Sequence, residues 1–374
     1  MTQVKDFIVE MGFGNLFEIR WQHCVMWLIG GLLIYLAIKK DMEPTLLLPM
    51  GFGAILVNLP LSGAIGEEGA IDILFNAGIA NELFPLLLFI GIGAMIDFEP
   101  LLTNPKLFLF GAAAQFGIFF TLTMASLFGF EINDAASIAI IGAADGPTSI
   151  FVANVLESKY IGAIIVAAYS YMALVPIVQP PVIRLLTTKK ERLIRMNTKG
   201  KNVTKLTKIL FPIVVTIITG LVSPQSLALI GFLMFGNLIR ECGVLNSLSE
   251  TAQKVLANLI TLLLGLTVAT KMQYGQFLTW DTFLILSLGL VAFVFDTFGG
   301  VLFAKFLNLF SKNKINPMIG AAGISAFPMS ARVVHKMGLK EDNQNFLLMH
   351  AAGANVSGQI ASVIAGGLIL NFFG

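Results

Sequence analysis

Ile141-Gly-Ala-Ala-Asp-Gly-Pro-Thr-Ser149 decides how the rest of the chain reads. It is set among strongly apolar segments, and hydropathy therefore puts it at membrane depth. Yet it carries an ionisable Asp145, two helix breakers in Gly146 and Pro147, and the hydroxyls of Thr148 and Ser149. A carboxylate at the bilayer centre costs about 2.5–3.5 kcal/mol on insertion scales. Broken backbone at that depth persists only where protein buries it or a wet cavity bathes it. A proline-kinked helix, with Asp145 capping the restarted turn, would account for the backbone alone. An ion or substrate site accounts for the charge as well.

A near copy follows: Ile319-Gly-Ala-Ala-Gly-Ile-Ser-Ala-Phe-Pro328 repeats the Ile-Gly-Ala-Ala opening 178 residues later. Pro44 with Gly51-Phe52, and Pro224 with Gly231-Phe232, form a second pair offset by 180. Two matches in the same order at nearly one offset indicate an internal duplication. Interrupted segments at corresponding positions of two halves point to the binding site of a membrane transporter.

Composition agrees with this setting. Of 374 residues, 56% are hydrophobic and 12% charged, which excludes an ordinary soluble domain. Apolar runs long enough to cross roughly 30 Å of hydrocarbon recur along the chain. The 36 glycines and 31 phenylalanines suit close helix packing inside a lipid-facing exterior. Residues 1–23 read as an N-terminal amphipathic segment rather than a cleavable signal, since Lys5, Asp6, Glu10, Glu18 and Arg20 interrupt it. Cys24 and Cys242 are single and distant, so neither a disulfide framework nor a thiolate metal site is expected. Between Arg184 and Lys208 lie nine of the 24 basic residues, opposed only by Glu191.

The expected fold is an all-α polytopic membrane protein built as two inverted repeats. The first, 24–185, has spans near 24–38, 44–60, 83–97, 106–129 and 160–185, with a re-entrant hairpin over 134–156. The basic loop 186–207 follows. The second repeat, 208–374, has spans near 208–222, 225–240, 255–271, 279–310 and 344–372, with a hairpin over 315–338. Interruptions are expected at Asp296 and Gly299-Gly300 and across Gly353 to Gly358, and kinks at Pro176, Pro180 and Pro181. About five crossings plus one hairpin per half make the second half insert upside down. The positive-inside rule puts the loop 186–207 in the cytoplasm. Lys39-Lys40, Lys106, Arg240, Lys254, Lys312 and Lys314 then fall inside too. The acidic stretch 61–82, with Glu67, Glu68, Asp72 and Glu82, falls outside with both termini.

Aligning the halves brings Asp145 and Thr148 together with Ser325, Asn355 and Ser357, and draws in Tyr169-Ser170-Tyr171. Oxygen-only ligation carrying one negative charge suits Na+ or a proton and lacks the carboxylates a divalent ion wants. Arg332, four residues beyond Pro328, reads either as an interfacial arginine that snorkels or as a planar cation for a substrate carboxylate. His350 reads as an interhelical histidine. Asp296 has three readings: a partner for Lys305, a partner for His350, or the holder of a second ion. Asn316-Pro317 caps the second hairpin, with its carboxamide within possible reach of the site.

Gly93-Ala-Met-Ile-Asp-Phe98, Gly142-Ala-Ala-Asp-Gly-Pro-Thr148, the stretch from Asn316-Pro to Arg332, and Asn345 through His350-Ala-Ala-Gly-Ala-Asn-Val-Ser-Gly358 make the resemblance specific. The chain resembles the β subunit of the sodium-pumping, biotin-dependent decarboxylases, which act on oxaloacetate, methylmalonyl-CoA or glutaconyl-CoA. The resemblance covers nearly the whole chain. It implies removal of CO2 from carboxybiotin, coupled to outward Na+ transport across a bacterial inner membrane. It also ties Asp145, Tyr171, Asn316, Gly320, Ser325 and Arg332 to Na+ binding, proton delivery and catalysis. Arg332, Asn316 and Gly320 are the expected substrate contacts, and Asp145, Asn355, Ser325 and Thr148 the expected Na+ ligands.

The biotin must ride on a partner, because no Ala-Met-Lys-Met carrier signature occurs here. No phosphate loop occurs either, since Gly200-Lys201 is followed by Asn202. Expected partners are a carboxyltransferase subunit, a biotin carrier protein, a small membrane subunit, the lipid bilayer and further copies of the chain, with no nucleic acid. The competing class is a Na+-coupled secondary transporter of a small carboxylate. Hydropathy and repeats fit it equally, and only the family motifs decide against it.

Overall fold

The computed structural model describes residues 19–66, 68–196, 203–311 and 313–374. Most of the N-terminal segment 1–23, Glu67, residues 197–202 of the basic loop, and Lys312 therefore lie outside the described residues. Among those described there are helices and connections but no strand. That follows from the solvent, because hydrocarbon offers a backbone N–H no partner and a helix pairs its groups within one segment.

Seven helices among the described residues are long and apolar enough to cross a membrane: Trp21–Lys40, Pro105–Leu127, Ile161–Leu186, Lys205–Val222, Asn246–Met272, Trp280–Phe310 and Leu348–Phe373. The chain is an all-α polytopic membrane protein. Leu348–Phe373 is the most enclosed of them and Lys205–Val222 the least, with 67% against 11% of their apolar windows buried. The first belongs to the interior of its unit and the second to that unit's surface.

The chain separates into two compact units. One contains the described residues up to Phe84 together with Asn258–Phe283. In it, Trp21–Lys40 packs along Pro44–Val57. Asn58 ties this pair down by donating to Ala54 O and Met272 O, each at 2.8 Å, and accepting from Tyr274 N at 2.8 Å. The other unit contains Pro85–Ala257 and Leu284–Gly374. Its centre is Leu348–Phe373, packed against Phe108–Ala114, Gly146–Val155 and Met329–Glu341.

Several expected boundaries change. Trp280–Phe310 runs unbroken past Asp296 and Gly299-Gly300, where an interruption was expected. Its polar and small residues serve neighbours instead. The Asp296 carboxylate accepts the Gly117 N–H, and a Cβ on Gly300 would stand 2.1 Å from the Gly320 carbonyl oxygen. Leu348–Phe373 is likewise continuous through Gly353 to Gly358. A Cβ on Gly358 would stand 2.0 Å from the Gly323 oxygen, so glycine there permits backbone contact rather than a break. Within Ile161–Leu186 the expected span is kept, and Pro176, Pro180 and Pro181 lie inside one helix. The helix in the second expected span ends at Val57, and the acidic stretch after it contains its own helix, Ala70–Gly78. Asn246–Met272 starts earlier than expected, with a π-helical turn over Thr251–Leu256.

The Gly358 contact gives a direct test. Gly358→Val must push two backbones apart, an overpacking cost of about 1–3 kcal/mol or more. Its detergent-solubilised melting temperature should fall clearly below wild type. An unchanged melting profile would mean that the helix Leu348–Phe373 does not meet the turn at Gly323 through Gly358.

Candidate functional site

The helix Ile132–Ala139 tightens into a 3-10 turn over Ile140–Ala143, and the chain then breaks. Ala144 takes a left-handed conformation with φ 52°, and Asp145 is the extended residue before Gly146–Val155 begins. Pro147 suits the first turn of that new helix, where its missing N–H leaves no bond unmade. The break thus places a carboxylate, 3% exposed, at a helix N-terminus.

Three donors converge on one oxygen of that carboxylate. Thr148 Oγ1 donates to Asp145 Oδ2 at 2.7 Å, Ser362 Oγ at 2.8 Å and Gln359 Nε2 at 2.9 Å. Thr148 comes from the restarted helix, and the other two from Leu348–Phe373. Among the described residues no lysine, arginine or histidine pairs with Asp145. A buried charge held by neutral donors alone is costly unless a cation joins it. The aromatic ring of Tyr169 covers the adjacent Gly146, where a Cβ would come within 2.3 Å of that ring.

The two repeated motifs meet here. The Ser325 N–H donates to Ala143 O at 3.2 Å, and Ser325 Oγ also donates to that carbonyl. The second motif therefore hydrogen-bonds the last residue before the Asp145 break. Asn355 lies one turn before Gln359 on the same face of Leu348–Phe373. Its Nδ2 donates to Ile324 O at 2.6 Å, while its buried Oδ1 has no hydrogen-bond partner among the described residues.

The remaining expected residues are placed differently. Tyr171 donates its hydroxyl to Leu286 O and packs beside Gly289 and Ile141. Ser357 turns to the start of Phe108–Ala114, donating to Leu107 O at 2.8 Å and accepting from Gly111 N at 3.0 Å. Gly320 is buried at the Gly300 crossing. Arg332 stands exposed on the first turn of Met329–Glu341, seven residues beyond Ser325, with no ion-pair partner among the described residues. Lys305 does not pair with Asp296; it lies 3.1 Å from Glu191 and donates to Leu186 O.

Gln359 and Ser362 are additions that sequence reasoning missed as partners of Asp145. A signal existed for both. They are polar residues in an apolar helix, and with Asn355 they follow the spacing i, i+4, i+7 of one helix face.

Asn316 commits its carboxamide elsewhere. Its Nδ2 donates to Arg192 O and Ile194 O, both at 2.9 Å, and its Oδ1 caps Met318 N. Asn345 Nδ2 donates to the same Arg192 carbonyl at 2.9 Å. Arg192 pairs with Glu341 at 2.7 Å and Arg195 with Asp342 at 2.6 Å. The described part of the basic loop is thereby clamped onto both ends of the 316–345 region. Arg195 holds the Asp342 carboxyl below its ordinary value. That contribution is complete above the ordinary carboxylate pKa and is lost only as pH falls through the depressed one. The clamp therefore persists at neutral pH. Asn316→Ala removes two donors to the 192–194 backbone. At about 1 kcal/mol for a lost hydrogen bond, trypsin cleavage after Arg192 or Arg195 should accelerate roughly fivefold or more. Unchanged cleavage would show that Asn316 does not anchor the loop.

With this geometry in view, the family model of the Na+-transporting oxaloacetate decarboxylase β subunit matches residues 22–373. The chain is 49% identical over 354 residues to the β subunit of glutaconyl-CoA decarboxylase from Acidaminococcus fermentans, covering 95% of this chain and 94% of that protein. It is 50% identical over 348 residues to the β subunit of methylmalonyl-CoA decarboxylase from Veillonella parvula, covering 93% and 92%. To a probable oxaloacetate decarboxylase β chain from Vibrio cholerae it is 44% identical over 434 aligned positions, covering 100% and 98%. This chain, an integral membrane protein, belongs to the family of Na+-transporting oxaloacetate decarboxylase β subunits.

Proposed function

We propose that this chain removes CO2 from carboxybiotin presented by a partner subunit and couples that step to outward Na+ transport. The observation that carries the reading is Asp145: a buried carboxylate at a helix break, held by Thr148, Gln359 and Ser362 and lacking a basic partner among the described residues. Such a group is completed by a small cation. Oxygen ligands suit Na+, and Asp145, Thr148, Ser325 and the unpartnered Asn355 Oδ1 are its ligands in this reading.

Carboxybiotin supplies a labile N–CO2 bond, and its cleavage leaves the ring nitrogen to take up one proton. The chain's part is to hold the carboxylate, exclude water and control when the proton arrives. Arg332, exposed and without an ion-pair partner among the described residues, is the planar cation for the carboxylate. Tyr171 and Ser325 are the hydroxyls proposed for proton delivery, and Asn316 and Gly320 shape the segment that leads to them. Moving each Na+ outward against about 100 mV costs roughly 2.3 kcal/mol, so turnover has to depend on ion occupancy. Exchange of Na+ for a proton at Asp145 provides that dependence.

The same reading includes two inverted repeats, 24–185 and 208–374, joined by a cytoplasmic loop 186–207, each with a re-entrant hairpin. Its support is the repeated Ile-Gly-Ala-Ala motif and the bond from Ser325 to Ala143. The proposed assembly contains a carboxyltransferase subunit, a biotin carrier, a small membrane subunit and further copies of this chain in a bacterial inner membrane. A Na+-coupled carrier of small carboxylates remains the competing class, and family membership counts against it.

Asp145→Asn keeps size and hydrogen bonding but loses the charge. It should abolish Na+-stimulated decarboxylation of free carboxybiotin and Na+ uptake into inverted vesicles together. Normal Na+ stimulation would move the ion site elsewhere. In the same assay Arg332→Lys should turn over many-fold more slowly while Na+ still protects the protein against heat; normal turnover would make Arg332 an interfacial residue only. Reporter fusions at Lys199 and Gly374 should report opposite sides of the membrane, and a shared side would remove the inverted arrangement.

A further inference from the structure

Gln179 lies on Ile161–Leu186, the helix that carries Tyr171, with 0% of its surface exposed. Both ends of its carboxamide bind the second repeated motif. Nε2 donates to Ala321 O at 2.7 Å and to Ser330 Oγ at 2.8 Å. The Ser330 hydroxyl in turn has two acceptors in reach, Gln179 Oε1 at 3.0 Å and Ala321 O at 3.1 Å. Three groups from three segments thus close one network, and Ser330 is as fully enclosed as Gln179. A satisfied network shielded from water specifies one arrangement of the segments that it joins.

What this network holds is the frame around Ser325 and Arg332. Ala321 ends the short helix Met318–Ala321, and Ser330 is the second residue of Met329–Glu341. One carboxamide therefore joins both ends of the loop 322–329, from the middle of which Ser325 reaches Ala143 O. Met329–Glu341 begins after Pro328 and has no side-chain cap on its first turn. The Ser330 bonds take that place. Arg332 follows two residues later, about 200° further round the helix at 3.6 residues per turn. Ser330 is accordingly buried and Arg332 exposed, on nearly opposite faces. Fixing the rotation of the first fixes the direction of the second.

We infer that Gln179 is a positioning residue for the reaction: by pinning Ala321 and Ser330 it aims Arg332 at the carboxylate of carboxybiotin. This rests on the carboxylate role proposed above for Arg332. The plain alternative is a buried glutamine that supports the fold alone, and a Gln179→Met variant separates the two. Methionine is of similar length and volume. Ser330 still donates to Ala321 O in its presence, so neither group is left without a partner.

Decarboxylation of free carboxybiotin by the purified complex supplies the measurement. In Gln179→Met, kcat/KM should fall about tenfold, chiefly through a higher KM, as a misdirected charge-assisted hydrogen bond predicts. The Na+ concentration for half-maximal activity should not change, because Thr148, Gln359 and Ser362 lie outside the network. Added to Arg332→Lys, the methionine should cost little more, since the residue it aims is already compromised. An undiminished further loss in that background would make Gln179 a support of the fold only and overturn the inference. So would an unchanged kcat/KM in the single variant, or a parallel shift in the Na+ requirement. Normal turnover of Arg332→Lys would remove the carboxylate reading and this role with it. An impaired Arg332→Lys beside a normal Gln179→Met removes this role alone. Should Gln179→Met fail to assemble, Ser330→Ala cuts the same network. A raised KM with unaltered Na+ dependence then supports the inference, and an unchanged KM overturns it.

Discussion

One constraint dominates the larger unit: a carboxylate is buried where hydrocarbon would otherwise lie, without a basic partner among the described residues. Asp145 can be there only because the surrounding chain supplies polar groups at the right places. Thr148 comes with the break itself, whereas Gln359 and Ser362 arrive from a helix more than 200 positions away in sequence. The most enclosed of the seven candidate spans, Leu348–Phe373, is therefore also the one that reaches the central charge from a distance in sequence. Polar groups in its middle are tolerated because each finds a partner or faces the site.

Holding that carboxylate also requires backbones to approach more closely than ordinary side chains allow. Glycines at 300 and 320 let two helices touch through carbonyl oxygens, and those at 323 and 358 do the same for a turn and a helix. In lipid such contacts matter more than in water, because helix association there relies on packing and hydrogen bonds instead of on expelling water. The close approach of the second motif lets Ser325 reach the Ala143 carbonyl just before the break. Gly146 does similar work on the other side, leaving room for the Tyr169 ring.

The basic loop shows how charge outside the apolar region joins this scheme. Composition suggests a free, cationic linker. Its described part is held instead by two asparagine side chains and two arginine–carboxylate pairs. These contacts attach the loop to the segment that carries Ser325 and Arg332. A movement of either would be felt by the other.

Sequence alone determined the membrane setting and the helical class, and it marked the repeated Ile-Gly-Ala-Ala motif and Asp145, because hydrophobicity and helix-breaking residues act locally along the chain. Family motifs likewise made the decarboxylase resemblance legible without coordinates. Of the partners of Asp145, only Thr148 was legible. Aligning the repeats suggested Asn355 and Ser325, yet Gln359 and Ser362 make the bonds, since a helix's rotation about its axis is set by its neighbours. Asp296 and the glycines near it read locally as a break, but Trp280–Phe310 continues through them. Their polar and small character serves other helices, and only packing reveals which. Tertiary structure decided these points because a side chain's partner depends on distances across the fold, which sequence order does not encode.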